Sequence, residues 1–218
     1  MAAWEELKAQ YRAFQARGLT LDMSRGKPSP EQLALSAPIL AGADMDYTCE
    51  DGSDARNYNH PLGIPEMRRL FGEILGVAPE QVIVGGNSSL NLLSDVFTRC
   101  MLLGPLPGDT PWAQLPRVKF ICPTPGYDWH FHMLESYGVE LLPVPTLADG
   151  PDMDQVEALA RDPAVKGLIC VPMYGNPSGV TFSDEVVARL ARMEAAPDFR
   201  IFWDNAYCVH HLYPQAPN

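Results

Sequence analysis

The segment LICVPMYGNPSGVTFSDEVVARLARMEAAPDFRIFWD, residues 168–204, passes from an apolar run through a polar turn into a helical pattern, and out into a second apolar run. Leu168-Ile169-Cys170-Val171 and Arg200-Ile201-Phe202-Trp203 are short and mostly apolar, as strands covered on both faces are. Residues 184–196 between them carry the 3.6-residue period of an amphipathic helix. Strand, helix, strand in that order is the unit of a parallel sheet.

The same alternation extends upstream. Gln81-Val82-Ile83-Val84 and Val118-Lys119-Phe120-Ile121-Cys122 read as strands, with another candidate at Val139 to Val144, and helical patterns fall near 89–103, 127–137 and 152–161. The expected fold class is α/β, a mostly parallel sheet with helices on both faces. The proline-rich stretch Gly104 to Pro116 reads as a surface loop. Ahead of the sheet, WEELKAQYRAFQAR at residues 4–17 spaces Trp4, Leu7, Tyr11 and Phe14 along one helical face, and Gly18 stops it. Leu21 to Pro30 is kept out of helix by Pro28 and Pro30 and reads as an extended arm. Residues 38–63 lack a clear period, and a helix is expected from Pro65 to Ile74, ending at Gly76. We therefore divide the chain into an N-terminal helix and arm, 1–35, and a large domain, 36–218.

Composition limits the functions available. The 218 residues are 46% hydrophobic and 20% charged, enough apolar material for one sizeable core. Sixteen Lys+Arg against 27 Asp+Glu leave a net charge of -11, which repels phosphate backbones and anionic lipid, so neither nucleic acid nor membrane is an expected partner. No stretch approaches the roughly 20 apolar residues of a membrane span, and the N-terminus has no basic-then-apolar leader. The five cysteines, Cys49, Cys100, Cys122, Cys170 and Cys208, are odd in number and form no C-x-x-C pair, which fits free thiols in a reducing cytoplasm.

In open α/β sheets ligands sit beyond the carboxyl ends of the strands, so the residues after each apolar run carry the functional information. They are Gly85-Gly86-Asn87-Ser88-Ser89, Pro123-Thr124-Pro125-Gly126-Tyr127, Pro172-Met173-Tyr174-Gly175-Asn176-Pro177-Ser178-Gly179 and Asp204-Asn205-Ala206-Tyr207. The two glycines permit close backbone approach, and Asn87, Ser88 and Ser89 would open a helix whose free N–H groups attract a phosphate. An aspartate directly after an apolar stretch is costly to bury alone, which suggests a positive partner such as a protonated ring nitrogen. Tyr127 offers a flat face for stacking, while Tyr207 and Asn176 offer directional donors to a phenolate oxygen. Singly, each segment also reads as an ordinary cap, turn or rim aromatic; their joint occurrence at successive strand ends is the signal.

Tyr174-Gly175-Asn176-Pro177-Ser178-Gly179 and Asp204-Asn205-Ala206-Tyr207 resemble the signature of the pyridoxal-phosphate aminotransferases of fold type I. Asn57-Tyr58-Asn59-His60-Pro61-Leu62-Gly63-Ile64-Pro65-Glu66-Met67-Arg68 matches that family's pattern before its first large-domain helix. With Arg25-Gly26-Lys27-Pro28, Gly86-Asn87-Ser88-Ser89-Leu90 and Pro125-Gly126-Tyr127-Asp128, the chain is most similar to the bacterial aspartate aminotransferase subgroup related to the catalytic domain of MocR-type regulators. The resemblance implies pyridoxal 5'-phosphate (PLP) as cofactor, an amino acid (aspartate above all) and a 2-oxo acid as substrates, and a homodimer. It implies that Asp204 pairs with the pyridine nitrogen, that Tyr207 and Asn176 hold the phenolic oxygen, and that Tyr127 stacks on the ring. Asn87, Ser88 and Ser89 would hold the phosphate, Tyr58 would reach the phosphate of a neighbouring subunit, and Gly26 would lie against the substrate.

One departure is large. The Schiff-base lysine of such enzymes follows the Asp-x-Ala-Tyr segment by a few dozen residues, whereas Lys8, Lys27, Lys119 and Lys166 all precede Asp204. The expectation is an N-terminal portion of an aminotransferase, an incomplete large domain bearing the cofactor cradle without the covalent anchor and inactive alone. Ser24-Arg25-Gly26-Lys27 fits the S-x-x-K nucleophile pattern, but Pro28 and Pro30 oppose the helix it needs. His130, His132, His210 and His211 lack a completing ligand cluster, so no metal site is expected. The alternatives are a ligand-sensing domain of a MocR-like regulator, disfavoured by an N-terminal stretch too short for a winged helix, and a generic α/β binding domain.

Overall fold

The computed structural model describes residues 2–20, 28–41, 45–211 and 214, which form two compact units within Met1–Glu66 and Met67–Asn218. In the first, helix α1 (Ala2–Ala16) carries the expected apolar face, with Trp4, Leu7, Tyr11 and Phe14 all more than half exposed. Two short helices, α2 (Pro30–Ala34) and α3 (Ala37–Leu40), follow. Ser29 caps α2 reciprocally: its Oγ accepts from the Gln32 N–H at 3.3 Å, and its own N–H donates to Gln32 Oε1 at 2.7 Å. An antiparallel bridge, Thr48 to Asp54, then closes a tight loop. Most of the expected arm, Gly26 included, lies outside the described residues.

The second unit takes in most of α4 (Pro65–Leu75) and continues with α5 (Ser89–Leu103), β1 (Lys119–Thr124), α6 (Asp128–Ser136), β2 (Glu140–Leu147), β3 (Gly150–Pro151), α7 (Met153–Ala160), β4 (Val165–Cys170), α8 (Asp184–Arg192) and β5 (Arg200–Trp203). The strands lie in the order β3-β2-β1-β4-β5, all parallel except the short β3. Helices α7 and α8 pack one sheet face, where Val156, Val165, Leu168, Val186 and Leu190 are buried together. On the other face, α5 and α6 bury Phe97 and Leu134 against Phe120, Ile169 and Phe202. Phe97, Trp112 and Phe120 meet edge to face with centroids 5.4–5.7 Å apart, the arrangement their ring quadrupoles favour. Gly167 on β4 permits this: a Cβ there would meet the Arg200 carbonyl and lie 2.7 Å from the Phe120 ring.

Helix α5 spans the residues its period predicted, and α8 stops at Arg192 because Met193 turns to ψ 146. Two expectations require correction. Gln81 to Val84 joins no sheet among the described residues: Pro79–Gln81 forms a short 3-10 turn, and Val82 is extended, but its carbonyl accepts from Arg68 Nε at 2.9 Å, a side chain where a neighbouring strand would donate. Ile83 beside it is 70% exposed. The loop from Gly104 to Pro116 is not merely superficial either, since a 3-10 turn at Trp112–Gln114 drives Trp112 fully into the core.

Trp112 Nε1 donates to Asp198 Oδ2 at 3.2 Å, and Asp198 also pairs with the buried Lys166 at 2.7 Å. Removing that carboxylate would leave an ammonium 8% exposed without the charge that offsets it. Asp198→Ala should therefore cost about 3 kcal/mol in denaturant unfolding, the low end for halving a buried pair, because the carboxylate itself keeps 22% exposure. Burial also pushes the Cys122 thiol up to about 12 and raises those of Cys100 and Cys170, while Cys208 is only partly buried. At pH 8 a thiol reagent should label Cys208 first and reach all five cysteines only in denaturant, a pattern read by mass spectrometry.

Candidate functional site

The chain direction reverses between β1 and β4. From β1 it crosses by α6 to β2 on one side, and it returns by α7 to β4 on the other. Loops leaving two neighbouring parallel strands in opposite senses leave a crevice at their carboxyl ends. The cleft there, open to solvent, is walled by residues that follow β1 (Pro125 to Tyr127, His130), by Thr146 of β2 and by residues that follow β4 (Val171, Gly175, Asn176, Ser178).

Tyr127 is the residue before α6, and His130 lies one turn into that helix, its N–H donating to the Tyr127 carbonyl at 3.1 Å. A three-residue step on a helix brings both rings to one side. Their centroids are 5.0 Å apart, edge to face. His130 Nε2 also lies 3.0 Å from Asp204 Oδ2, although 74 residues separate them. Both side chains are withdrawn from water, at 2% and 8% exposure. The backbone of Asp204 extends the β5 ladder by one rung, its N–H donating to the Cys170 carbonyl at 2.9 Å, and its Oδ1 accepts from the Ala206 N–H at 3.1 Å. An ionised carboxylate accepts about four hydrogen bonds, so a further donor fits beside His130 and the Ala206 N–H.

The segment after β4 enters the cleft through a constrained turn. Tyr174 holds φ +53, a left-handed conformation that costs a non-glycine residue roughly 1 kcal/mol and is repaid by local contacts. Its N–H donates to Thr181 Oγ1 at 3.1 Å, and the Phe182 N–H donates to the Pro172 carbonyl at 2.8 Å, closing the loop that presents Asn176.

At α5, Ser88 is the N-cap, its Oγ accepting from the Asn91 N–H at 3.4 Å, with its own O–H still available. The first-turn N–H groups of a helix have no intrahelical acceptor. Among the described helices of eight or more residues, α5 alone has no acidic side chain in its first turn, so none of its own carboxylates offsets the positive end of its dipole there.

Of the residues singled out from sequence, the structure brings Tyr127 and Asn176 into one cleft and joins Asp204 to its wall through His130. Asn87, Ser88 and Ser89 begin α5 and are not part of that wall; nor is Tyr207, whose ring packs 6.2 Å from that of His210. Tyr58, in the first unit, is fully exposed. Lys119 and Lys166 open β1 and β4, at the strand ends opposite the cleft, paired with Asp162 and Asp198, while Lys8 pairs with Glu5 on α1. Sequence reasoning missed His130, weighing it only as a metal ligand. Its signal was the three-residue offset from Tyr127 on a helix that starts at a strand end.

The profile of the family described as aspartate amino-transferase matches residues 1–218. An aspartate aminotransferase of Corynebacterium glutamicum is 45% identical over 215 residues, 98% of this chain and 50% of that protein. A Mycolicibacterium smegmatis protein named as an aminotransferase is 49% identical over 97% of this chain and 51% of its own length. The crystal structure of an aspartate transaminase from C. glutamicum superimposes with a TM-score of 0.88, at 44% identity, over 98% of this chain and 51% of that one. The chain thus spans about half the length of the relatives it matches.

The His130–Asp204 hydrogen bond predicts that His130→Leu lowers stability by about 1.5–3 kcal/mol, the range for a bond to a charged group. A double-mutant cycle with Asp204→Leu should return a coupling of about 1 kcal/mol or more by urea unfolding, and additivity would reduce the pair to mere proximity.

Proposed function

Because the chain belongs to the aspartate amino-transferase family, we propose that it builds the cofactor cradle of a PLP-dependent enzyme that moves an amino group from an amino acid, aspartate above all, to a 2-oxo acid. The observation that carries this reading is the buried Asp204 carboxylate, held by His130 beside a cleft that also presents Tyr127 and Asn176. The donor set suits the cofactor, with a carboxylate for a ring N–H, an aromatic face for the ring, an amide for the phenolic oxygen and a helix N-terminus free of acidic side chains for the phosphate. When bound, PLP supplies an electron sink for the pair left at the substrate Cα on loss of its proton.

The chain's own residues do the rest. His130 fixes the carboxylate's orientation by occupying Oδ2, and the Ala206 N–H occupies Oδ1, so Asp204 is positioned before any ligand arrives. Burial at 8% exposure strengthens its attraction for a cationic N–H. The perpendicular contact between the His130 and Tyr127 rings holds Tyr127 in place for stacking. Asn176, on the cleft wall, is assigned a donor to the phenolic oxygen, Tyr207 a second donor to the same oxygen, and the first turn of α5, with Asn87, Ser88 and Ser89, the phosphate. The exposed Tyr58 is assigned to a neighbouring subunit's site, in a homodimer working in the cytoplasm, and Gly26 to the substrate side. Residues from 36 onward are assigned to the cofactor-binding domain. Lys119 and Lys166, committed to ion pairs at the far strand ends, are not assigned the covalent anchor.

Asp204→Asn keeps the side chain's shape and a bond to His130 but removes the charge. In the enzyme that contains this sequence, turnover of aspartate with a 2-oxo acid should fall about 1,000-fold, roughly 4 kcal/mol of transition-state stabilisation, with little change in melting temperature. A melting loss that accounts for the activity loss would make Asp204 a structural residue instead. Borohydride treatment of this 218-residue chain with PLP should leave no covalent cofactor by mass spectrometry, and a stable adduct on Lys119 or Lys166 would overturn the assignment of the anchor.

A further inference from the structure

A second cluster of reactive side chains lies in the first unit. The Thr48–Asp54 bridge closes a loop in which the Cys49 N–H donates to the Ser53 carbonyl and the Gly52 N–H to the Cys49 carbonyl, both at 2.8 Å, with Gly52 at φ +81. This turn carries Cys49 and Asp51, and the chain returns to add His60. His60 Nε2 lies 3.6 Å from Asp51 Oδ2, and the Cys49 Sγ, an Asp51 carboxylate oxygen and a ring nitrogen of His60 all lie within 4.8 Å of one another. We propose that Cys49, Asp51 and His60 form a binding site for a divalent transition-metal ion of borderline softness, with zinc as the ion to test.

The donor set decides the class of ion. A thiolate and an imidazole are poor ligands for magnesium or calcium, which take oxygen, whereas zinc and cobalt accept sulfur, nitrogen and carboxylate together. Ligand bonds of about 2.0–2.3 Å in a tetrahedral shell place donor atoms about 3.3–3.8 Å apart. The His60–Asp51 separation already falls in that range, and the others need to close by about 1 Å or less. Burial is graded, with Cys49 at the bottom, the His60 side chain 16% exposed and that of Asp51 45% exposed, so an ion enters from the Asp51 side. Ser53 Oγ lies 2.6 Å from both Asp51 Oδ1 and His60 Nε2, and its N–H donates to Asp51 Oδ1 at 2.9 Å. On binding, the hydroxyl goes on donating to the carboxylate, and the imidazole passes its Nε2 proton by way of water to Nδ1, which frees the Nε2 lone pair for the metal.

The charges close. The Cys49 S–H bond breaks and its proton leaves to buffer, an S–Zn bond forms, and bound waters are released. Thiolate, carboxylate and neutral imidazole then offset the two positive charges, so a neutral unit sits in a part-buried pocket, with a fourth position for water. The sequence hides this site because C-x-D-x8-H matches no standard ligand spacing; the turn at Gly52 makes it. The proposal is independent of the amino-transfer reading, since it involves none of the cleft residues.

The test titrates the chelator-stripped 218-residue chain with zinc against a chromophoric chelator, and with cobalt by absorption. One equivalent should bind at micromolar or tighter Kd, zinc should raise the melting temperature, and cobalt should show a thiolate charge-transfer band in the near ultraviolet. Cys49→Ser and His60→Ala should each weaken binding by about 100-fold, whereas Cys208→Ser should leave it unchanged. Asp51→Asn lies at the exposed rim, so it keeps the fold measurable if the buried variants do not, and it should weaken zinc too. No zinc uptake, a cobalt spectrum without the thiolate band, or full affinity in Asp51→Asn and His60→Ala would overturn the proposal.

Discussion

A carboxylate withdrawn from water must be met by donors, because the interior offers little of the solvation it gives up. Asp204 is such a group, and the structure meets it from two directions: from the backbone, through Ala206, and from across the sheet, through His130. The second contact joins the helix that follows β1 to the end of β5, on opposite sides of β4. For it to form, β1, β4 and β5 must be aligned so that their carboxyl ends lie together, which the parallel register Gly167–Arg200 to Cys170–Trp203 secures. The cleft thus depends on the sheet, and the sheet positions one charged group at its rim.

The sheet in turn depends on close packing across its two faces. Gly167 lets the Phe120 ring lie against β4, and the aromatic group around Phe97 anchors α5 beneath the strands. The proline-rich loop takes part in this, for Trp112 completes the aromatic group and spends its one N–H on Asp198, which also holds Lys166. One carboxylate therefore satisfies a buried indole and a buried ammonium at the amino-terminal end of β4, while Asp204 serves the carboxyl-terminal end of the neighbouring strand. The pair that holds the core and the proposed ligand site thus lie at opposite ends of the strands, as is usual in α/β sheets.

Long helices and buried strands were readable because their periods are local. The apolar repeat of α5, the runs at 118–122, 168–171 and 200–203 that overlap β1, β4 and β5, and the polar segments at their ends follow from residues close in the chain. Gln81 to Val84 shows the limit, since its composition suits a strand but a strand exists only where another offers a ladder, and here Arg68 supplies the donor. Trp112 shows the same in reverse, in a proline-rich stretch whose burial is set by rings contributed from α5 and β1.

By itself the sequence determined the alternation of strand and helix, the polar residues placed at strand ends and the likeness to aminotransferases that the family match bears out. Those properties reside in short-range pattern and in the identity of residues along the chain. Tertiary structure alone decided that His130 faces Asp204 across 74 residues, and that Cys49, Asp51 and His60 converge around one turn. Both are juxtapositions, and the distance between two side chains is set by strand register and loop path, which no local pattern encodes.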